Sequence, residues 1–412
     1  MTGRRFVASV SGSSVERRQE RSGDPETDFL GVFQDDLEGS ENCPPRYICE
    51  IMQQNLEEAY NFKRLVKWPL QRTAKNILGW KRLCECHSSP HTKSVDVLRS
   101  VASQRAFFTG LDTCGSVWVC PVCGSKITER KRLDLEVAIE RALNLGLNVH
   151  MQTLTAPHRR VQRLGDLLDM FGLARRRMKN VNQWKSWAKL VGLVGSIRSL
   201  EVTHGFENGW HVHTHDILIC RSSSQKNECV GSTQLSLNDK VNAVVCPVSS
   251  DVLPMWQKAC LSAGLDKPNS IGVDIRAGNN AVGDYVSKWG ISAEMTKSHV
   301  KKGHGVHRTP WDILNDCFEK ETEIDAELFR EYAKQFKGKR QLVWSDGLRD
   351  LLGMTVEKTD EEIAAEPEKA DALLASIDLP TWRKIIRSSV EIRGQVLLAA
   401  EAGQLDELLR ML

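Results

Sequence analysis

Apolar and polar residues alternate with a period of two in three stretches of the chain, and this pattern predicts β-strands. The stretches cover residues 148–157, 195–203 and 210–220, and each contains the β-branched residues that strands favour. A turn at residues 205–209 separates the second stretch from the third, so we expect these two strands to form a β-hairpin. Residues 271–276 predict a fourth strand.

Apolar residues recur at helical spacing through most of the remaining chain. Residues 1–45 are rich in Ser, Gly, Asp, Glu and Arg, and residues 357–378 are strongly acidic. We expect the first of these segments to be disordered and the second to be exposed or to act as a linker. The predicted helices cover residues 47–82, 127–145, 160–190, 252–264 and 311–352, with one or two more at the end of the chain.

Composition narrows the class of protein. The chain has 56 basic and 53 acidic residues, a net charge of +3, so any surface for nucleic acid must be local. The first twenty residues lack the apolar core of a secretory signal, and no apolar run is long enough to span a bilayer. We therefore expect a cytoplasmic protein without a membrane partner. In that setting, clustered cysteines among the 12 in the chain bind metal more often than they form disulfides.

Cys120 and Cys123 form a C-x-x-C turn, in which a proline and a glycine supply the tight bend. Two thiolates at this spacing can bind one Zn²⁺, and a tetrahedral site needs two further ligands. Four protein ligands would make the zinc structural. A redox pair, or thiols buried separately, are the alternatives. The candidates for the remaining positions are Cys114 and either Cys84 or Cys86, with His87 in reserve.

His211, His213 and His215 follow one another at a spacing of two on the third predicted strand. Alternate residues of a strand share a face, so the three imidazoles lie on one side of it. Imidazole is the commonest metal ligand among side chains, and two such rings can hold one divalent cation. The register of the hairpin decides whether Glu201 joins them. A five-residue loop places Glu201 opposite His213 on the same face, whereas a two-residue turn places it on the other face.

Basic residues cluster beside several of the predicted helices, and they predict either contacts to DNA phosphates or simply solvated helix faces. Trp68 and Trp80 are interleaved with one such group near residues 63–82, and a further basic patch consists of Lys334, Lys337, Lys339 and Arg340. The candidate DNA contacts are Lys126, Arg130, Lys131 and Arg132 near the start of one helix, and Arg175, Arg176 and Arg177 in another.

Tyr285 and Lys288 stand three residues apart in a helical pattern that follows the fourth predicted strand. This spacing makes them neighbours on one helix face. Taken alone, such a pair usually means a packed aromatic ring beside a surface lysine.

Three motifs, in this order, make the sequence resemble the plasmid rolling-circle replication initiators of the HUH endonuclease superfamily. Thr153-Leu154-Thr155 resembles the first motif, His211–His215 the second, and Tyr285-Val-Ser-Lys288 the third. The C-x-x-C cluster ahead of them is similar to that of the subgroup with a zinc-knuckle preface. The stretch Trp344–Arg349 also resembles one found after the third motif. The resemblance covers roughly residues 80–355.

The resemblance implies an α+β fold with a central antiparallel sheet and flanking helices, preceded by a small zinc-binding region and followed by a helical tail. It implies that His213 and His215 bind Mg²⁺ or Mn²⁺, with His211 as a third ligand or a supporting group. Tyr285 would be the nucleophile. The expected regions are a disordered segment at 1–45, a helical and zinc-binding region at 46–145, the endonuclease core at 146–310 and a helical C-terminal region with the acidic segment at 311–412.

The implied reaction nicks single-stranded or hairpin DNA at a plasmid origin, leaving a 5′-phosphotyrosine and a free 3′-OH. The chain has no Walker-type glycine loop, so a host helicase and polymerase of a bacterial cytoplasm are implied as partners. Ala281 is a departure, because several relatives have a glutamate at that position. The alternatives are a relaxase or transposase of the same nuclease class, a non-catalytic zinc-containing DNA-binding regulator, and a metal-dependent hydrolase of small substrates.

Overall fold

The computed structural model describes residues 65–221, 246–277 and 307–411. All of them belong to the larger of the two units into which the chain divides, residues 54–412. The disorder expected for residues 1–45 and the helix expected around Tyr285 lie outside the described residues.

The strands of the described residues are β1 (Ser94–Ser100), β2 (Ala106–Thr109), β3 (Leu147–Thr155), β4 (Leu193–Gly205), β5 (Gly209–Arg221), β6 (Val273–Ala277), β7 (His307–Arg308), β8 (Leu342–Trp344) and β9 (Ala370–Asp378). Their helices are α1 (65–78), α2 (Lys81–Glu85), α3 (Pro121–Asn144), α4 (Leu164–Asn180), α5 (Asn182–Leu190), α6 (Ser249–Ser262), α7 (Pro310–Lys320), α8 (Glu323–Phe336), α9 (Leu348–Leu351), α10 (Asp360–Ala365), α11 (Leu379–Arg387), α12 (Ile392–Glu401) and α13 (Leu405–Arg410). A single 3₁₀ turn, Ser270–Gly272, precedes β6.

A six-stranded sheet forms the centre of the fold. Its strand order is β6-β3-β5-β4-β7, and β8 also pairs with β4. Every neighbouring pair is antiparallel. The four strands expected from alternation are present as β3, β4, β5 and β6. The prediction of an α+β fold with a central antiparallel sheet and flanking helices is therefore confirmed.

The burial of the side chains on strand β5 changes half-way along its length. In its first half the three histidines are half-buried, whereas the residues between them, such as Val212 and Thr214, are buried. From Asp216 to Cys220 the side chains on both faces are buried. Because side chains alternate between the faces of a strand, the histidines occupy the open half of a face whose other half is covered.

Helix α3 covers that other half. Its residues Leu135 and Ile139 belong to a buried cluster with Ile217 and Ile219 of β5. Helices α4 and α6 cover the opposite face of the sheet, where the rings of Phe171 and Trp256 meet with centroids 5.2 Å apart. The half of this face that carries the histidines has no such helix over it in the described part of the chain.

A second sheet corrects the prediction for the C-terminal region. It has three strands in the order β2-β1-β9, and both pairings are antiparallel. Strand β9 lies in the acidic segment that we expected to be exposed or linking, and Ile377 on it is buried with Val95 and Val97 of β1. The sequence did not reveal this strand, because the segment is acidic and the strand pairs with β1, which lies far earlier in the chain.

Strand β8 corrects the prediction of a continuous helix over residues 311–352. The chain leaves helix α8 and pairs with β4, and the backbone N–H of Ser196 donates to Ser345 Oγ at 2.9 Å. The guanidinium of Arg349 lies 4.7 Å from the centroid of the Trp344 ring. The stretch Trp344–Arg349 therefore holds β8 against the edge of the histidine hairpin.

Gly209 closes the hairpin turn, and we expect its replacement by alanine to reduce stability. Its φ is +72°, and an added Cβ would lie 2.8 Å from the carbonyl oxygen of Arg160. Gly146 is a matched control, because it has the same φ of +72° but nothing within 4 Å of an added Cβ. Positive φ alone costs about 1–2 kcal/mol. In urea unfolding, Gly209→Ala should lose at least about 1 kcal/mol more than Gly146→Ala, and equal losses would contradict the proposed close contact.

Candidate active site and cysteine cluster

The β4–β5 hairpin has the register that the longer loop requires. Glu201 pairs with His213, and the pairing continues to Gly205 and Gly209, so that Phe206, Glu207 and Asn208 form the loop. Glu201 Oε2 lies 3.3 Å from His213 Nε2 and 3.6 Å from His215 Nε2. Glu201, His213 and His215 therefore share one face, and the structure has the one of the two possible registers that places Glu201 beside the histidines.

Thr153, in the first of the three sequence motifs, orients one of these histidines. It pairs with His215 across β3 and β5, and its hydroxyl lies 3.0 Å from His215 Nδ1. Nε2 of the same ring lies 3.6 Å from Glu201 Oε2, where it can donate to the carboxylate or, in the tautomer with the proton on Nδ1, offer its lone pair to a cation. The same arrangement, a ring fixed through its second nitrogen, is common around histidines that bind metals.

The ligand atoms of Glu201, His213 and His215 all lie within 4.8 Å of one another, so the group can hold a metal ion. Burial raises the pKa of Glu201, but hydrogen bonds from His213 and His215 outweigh it, and the pKa is held well below its usual range. Glu201 is therefore a carboxylate at neutral pH. Two imidazoles and one carboxylate form a mixed nitrogen and oxygen donor set that suits a divalent cation.

His211 lies outside this group. It pairs with Thr203 near the tip of the hairpin, and its Nδ1 is 3.2 Å from Nδ1 of His158. Its ring also stacks on His213 with centroids 5.2 Å apart. Burial lowers the pKa of His211 to about 3, so the ring is neutral. The structure therefore gives His211 a place beside the metal group, and it adds His158, which the sequence signalled only by its position just after the first motif.

Tyr285 and Lys288 lie in residues 278–306, outside the described residues. The described chain ends at Ala277 on β6 and resumes at His307 on β7. These strands are the two ends of the sheet order, and β3, β5 and β4 lie between them.

Four cysteines form a second group that can hold a metal ion: Cys86, Cys114, Cys120 and Cys123. All four are buried. The Sγ atom of Cys123 lies 3.5 Å from that of Cys86 and 3.7 Å from that of Cys114, and the Sγ atoms of Cys86 and Cys120 are 3.8 Å apart. The pKa of Cys120 lies well below its usual value because hydrogen bonds from the other thiols outweigh burial. One thiolate is thus stabilised by its neighbours.

The choice between Cys84 and Cys86 is decided by helix α2. Cys84 lies on its exposed side, whereas Cys86 follows the last helical residue and is fully buried. Cys84 therefore does not join the cluster. His87 does not join it either, because its ring packs edge-on against Trp68 with centroids 5.8 Å apart.

Side chains from both ends of the described chain surround the cluster. The amide of Gln71 donates to the sulfur atoms of Cys86 at 3.5 Å and Cys120 at 3.4 Å. Arg393, which is buried in helix α12, donates to the amide oxygen of Gln71 at 2.9 Å and lies over the Trp68 ring. Donors and cations placed in this way offset the negative charge of thiolates. Nothing in the sequence pointed to Gln71 or Arg393, which are 322 positions apart.

Helix α3 connects the cluster to the sheet. Cys120 is its N-cap, and the Cys120 sulfur accepts a hydrogen bond from the backbone N–H of Cys123 at 3.5 Å. The helix therefore begins inside the cluster, six residues before the start that periodicity predicted, and ends over the covered half of the histidine face.

Most of the basic side chains at the start of α3 have partners within the protein. Lys131 is buried and pairs with Asp360, Lys126 donates to backbone carbonyls in and just after α10, and Arg132 pairs with two glutamates of its own helix. Arg130 is exposed and pairs with Asp134 at 3.5 Å. The structure therefore shows packing and ion pairs for this group, for which the sequence left contacts to DNA phosphates and solvated helix faces as alternatives.

Arg175 also requires a correction. Its guanidinium forms two hydrogen bonds to the buried carboxylate of Asp216, at 2.6 and 2.7 Å. Asp216 is on β5, on the face opposite the histidines, so Arg175 lies in the interior and does not face DNA. The helical period explains the error, since Arg176 and Arg177 point outward whereas the residue before them points to the sheet.

Known proteins share sequence similarity with this chain. It is 24% identical over 375 residues to a protein named "Protein rep" from Streptomyces lividans, an alignment that covers 75% of this chain and 80% of the relative. It is also 28% identical over 185 residues to a "Neomycin resistance protein" from Streptomyces cyanogenus, covering 39% of this chain and 40% of that protein. No protein-family model and no solved structure matches the chain. The chain is thus similar to a Rep protein along most of its length.

No helix in the described residues combines the length and the apolar character needed to cross a membrane.

We expect Arg175→Met to lower the free energy of unfolding by about 3–5 kcal/mol, because it leaves the Asp216 carboxylate buried and unpaired. Arg176→Met, at an exposed position on the same helix, should change it by less than about 0.5 kcal/mol. The measurement is chemical denaturation of both variants. A stable Arg175→Met variant that binds DNA more weakly would contradict this role and support Arg175 as a DNA contact.

We expect Cys86→Ser to lose metal that Cys84→Ser retains. Serine at position 86 removes one of four sulfur ligands, whereas Cys84 is exposed and outside the cluster. The measurement is metal content per chain after dialysis, by elemental analysis. Equal metal content in the two variants would exclude Cys86 as a ligand.

Proposed function

We propose that the protein initiates plasmid replication by nicking single-stranded DNA at the origin and joining itself to the 5′ end through Tyr285. The observation that carries this proposal is the Glu201, His213 and His215 group on the open face of an antiparallel sheet, in a chain similar to a Rep protein. A regulator that only binds DNA would have no use for this group of ligands.

Glu201, His213 and His215 would hold Mg²⁺ or Mn²⁺, and such a cation would withdraw charge from the non-bridging oxygens of the scissile phosphate. Thr153 keeps His215 oriented with Nε2 toward Glu201. A phenol is a weak nucleophile until it loses its proton, and Lys288 is our candidate to stabilise the phenolate of Tyr285. The Tyr285 oxygen bonds to phosphorus as the bond from phosphorus to O3′ breaks. The O3′ takes up a proton and becomes the 3′-OH from which a polymerase extends.

The connection between β6 and β7 supports Tyr285 as the nucleophile. Its described ends, Ala277 and His307, lie on opposite sides of the strand that bears the histidines. His307 pairs with Gly205, close to the tip of the histidine hairpin. The described residues on both sides of the segment that contains Tyr285 thus belong to the sheet that carries the candidate metal group.

We further propose that the cysteine cluster holds a structural Zn²⁺. Four buried sulfur atoms, with hydrogen-bond donors directed at two of them, fit the closed tetrahedral site that zinc forms with cysteine. With all four positions filled by protein, the ion would take no part in the cleavage reaction. It would instead fix the start of α3, which packs on the covered half of the histidine face.

A relaxase or transposase would use the same chemistry for a different task. The similarity to "Protein rep" over most of both chains favours an initiator. An initiator without a nucleotide-binding glycine loop needs a separate helicase, so a host helicase and a host polymerase are the partners we propose, in the cytoplasm of a bacterium.

We expect Tyr285→Phe to abolish the covalent adduct with labelled single-stranded origin DNA in the presence of Mn²⁺, because the attacking oxygen is absent. His213→Ala should reduce cleavage at least about 100-fold, in line with the loss of a metal ligand. The measurements are gel detection of the adduct and peptide mapping of the attachment site.

Tyr332→Phe is a control for the tyrosine, because Tyr332 is buried in helix α8 and should leave adduct formation unchanged. An adduct formed by Tyr285→Phe would exclude Tyr285 as the nucleophile. Full cleavage in excess EDTA would exclude the metal role of the histidine group.

A further inference from the structure

A basic groove lies beside the cysteine cluster and is absent from the reaction described above. It encloses about 650 Å³ between the start of α2, the chain before α3, the end of α8 and the chain before α10. Its side chains include Trp80, Lys337, Lys339 and Arg340. This volume falls within the ~300–1,000 Å³ typical of binding sites for small molecules, so the groove is large enough for a nucleotide-sized group.

The cations of the groove fall into two classes. Four of them have acidic partners: Lys131 pairs with Asp360, Arg82 lies 3.8 Å from Glu361, Lys81 lies 3.9 Å from Glu85 and Lys358 lies 2.8 Å from Glu366. In contrast, Lys337, Lys339 and Arg340 have no acidic partner among the described residues, and the first and third are exposed. Three neighbouring cations without an internal partner repel one another, and binding an anion relieves that repulsion.

Two contacts within the protein hold Lys337 and the backbone at Lys339. The indole N–H of Trp118 donates to the carbonyl oxygen of Lys339 at 2.7 Å, which holds the turn after α8. The Lys337 ammonium lies 5.1 Å from the centroid of the half-buried Trp80 ring. An aromatic ring beside cations is the arrangement that proteins use to bind single-stranded nucleic acid, where bases stack on rings and cations follow the phosphates.

The turn leads directly to the proposed nuclease face. Leu342 pairs with Ser199, and Ser199 pairs with His215, so these three residues form one row across the sheet. Two strand spacings of about 4.8 Å separate Leu342 from His215, and two residues of chain reach at most about 7 Å. The Cα atom of Arg340 therefore lies within roughly 17 Å of that of His215, a distance that a few nucleotides span.

We propose that the basic groove binds single-stranded DNA next to the cleaved bond, with phosphates on Lys337, Lys339 and Arg340 and a base on Trp80. This assignment rests on the proposed nuclease function, because it treats the DNA as the same strand that Tyr285 cuts. It adds a binding site separate from the metal group, and residues from both the N-terminal and the C-terminal parts of the described chain form it.

The test compares two variants of the full-length protein with equal changes of charge. The first is Lys337→Ala/Lys339→Ala/Arg340→Ala in the groove. The matched control is Lys185→Ala/Lys189→Ala/Lys258→Ala, three exposed lysines of α5 and α6 that do not line the groove. The probe is a fluorescein-labelled oligothymidylate of about 20 nucleotides, longer than the ~4–16 nucleotides that one single-strand-binding fold covers. Binding is measured by fluorescence anisotropy at several salt concentrations.

The groove variant should bind the probe at least about tenfold more weakly, and the slope of log K against log salt should fall by about 2, as the loss of three phosphate contacts implies. The control variant should change the affinity by less than about twofold. Replacing one thymine with 5-iodouracil and irradiating the wild-type complex should crosslink Trp80, as identified by peptide mapping.

Equal affinities for the two variants, or crosslinks that avoid the groove, would overturn the proposal. Weaker binding of an origin duplex with unchanged binding of the oligothymidylate would overturn it as well, because the groove would then bind double-stranded DNA. These results are separable from the chemistry. Failure of the nuclease proposal would remove the adduct from the wild-type protein and leave the difference in probe affinity between the two variants intact. Failure of the groove proposal would leave the wild-type adduct intact and give the two variants equal affinities.

Discussion

The register of the β4–β5 hairpin is the constraint on which the rest of the structure depends. Pairing of Glu201 with His213 brings a carboxylate and two imidazoles to one face, and the residues between the histidines fill the core on the other face. A slip of one residue would bury the histidines and expose Val212 and Thr214. The stability of the sheet and the geometry of the candidate site therefore depend on the same alternation of side chains. A slip that displaced the candidate ligands would also disrupt the hydrophobic core.

The face that carries the histidines is shared with helix α3, and this explains how a distant cysteine cluster bears on the site. The helix begins at Cys120 inside the cluster and ends against the buried half of β5. Gln71 and Arg393 attach the cluster to helices from both ends of the described chain, and the β1–β9 pairing joins the same two parts in a second sheet. In the described residues, the parts of the chain that precede and follow the central sheet in sequence are thus packed together and do not form separate regions.

Whether a basic side chain is available to DNA depends more on its burial in the fold than on the basic run in which it stands. Runs of basic residues that resemble a DNA-binding surface are divided by the fold into interior and exterior positions. Arg175 neutralises Asp216 in the core and Lys131 pairs with Asp360, whereas Lys337 and Arg340 remain exposed beside an aromatic ring. A cation that offsets a buried carboxylate is not available to a phosphate, and its pairing is visible only when the partner is known.

The sequence by itself determined the local features: the alternating strands, the hairpin, the shared face of His213 and His215, and the C-x-x-C turn. It left the position of Glu201 to one of two registers, and only the tertiary structure chose between them. The tertiary structure also decided that Cys86 joins the cluster and Cys84 does not, that β9 is a strand, and that Arg175 points inward. Periodicity specifies which side of an element turns inward, but the segment that covers that side can lie hundreds of residues away, as Gln71 and Arg393 do. Contacts over such separations depend on how the whole chain packs, and no local pattern of residues encodes them.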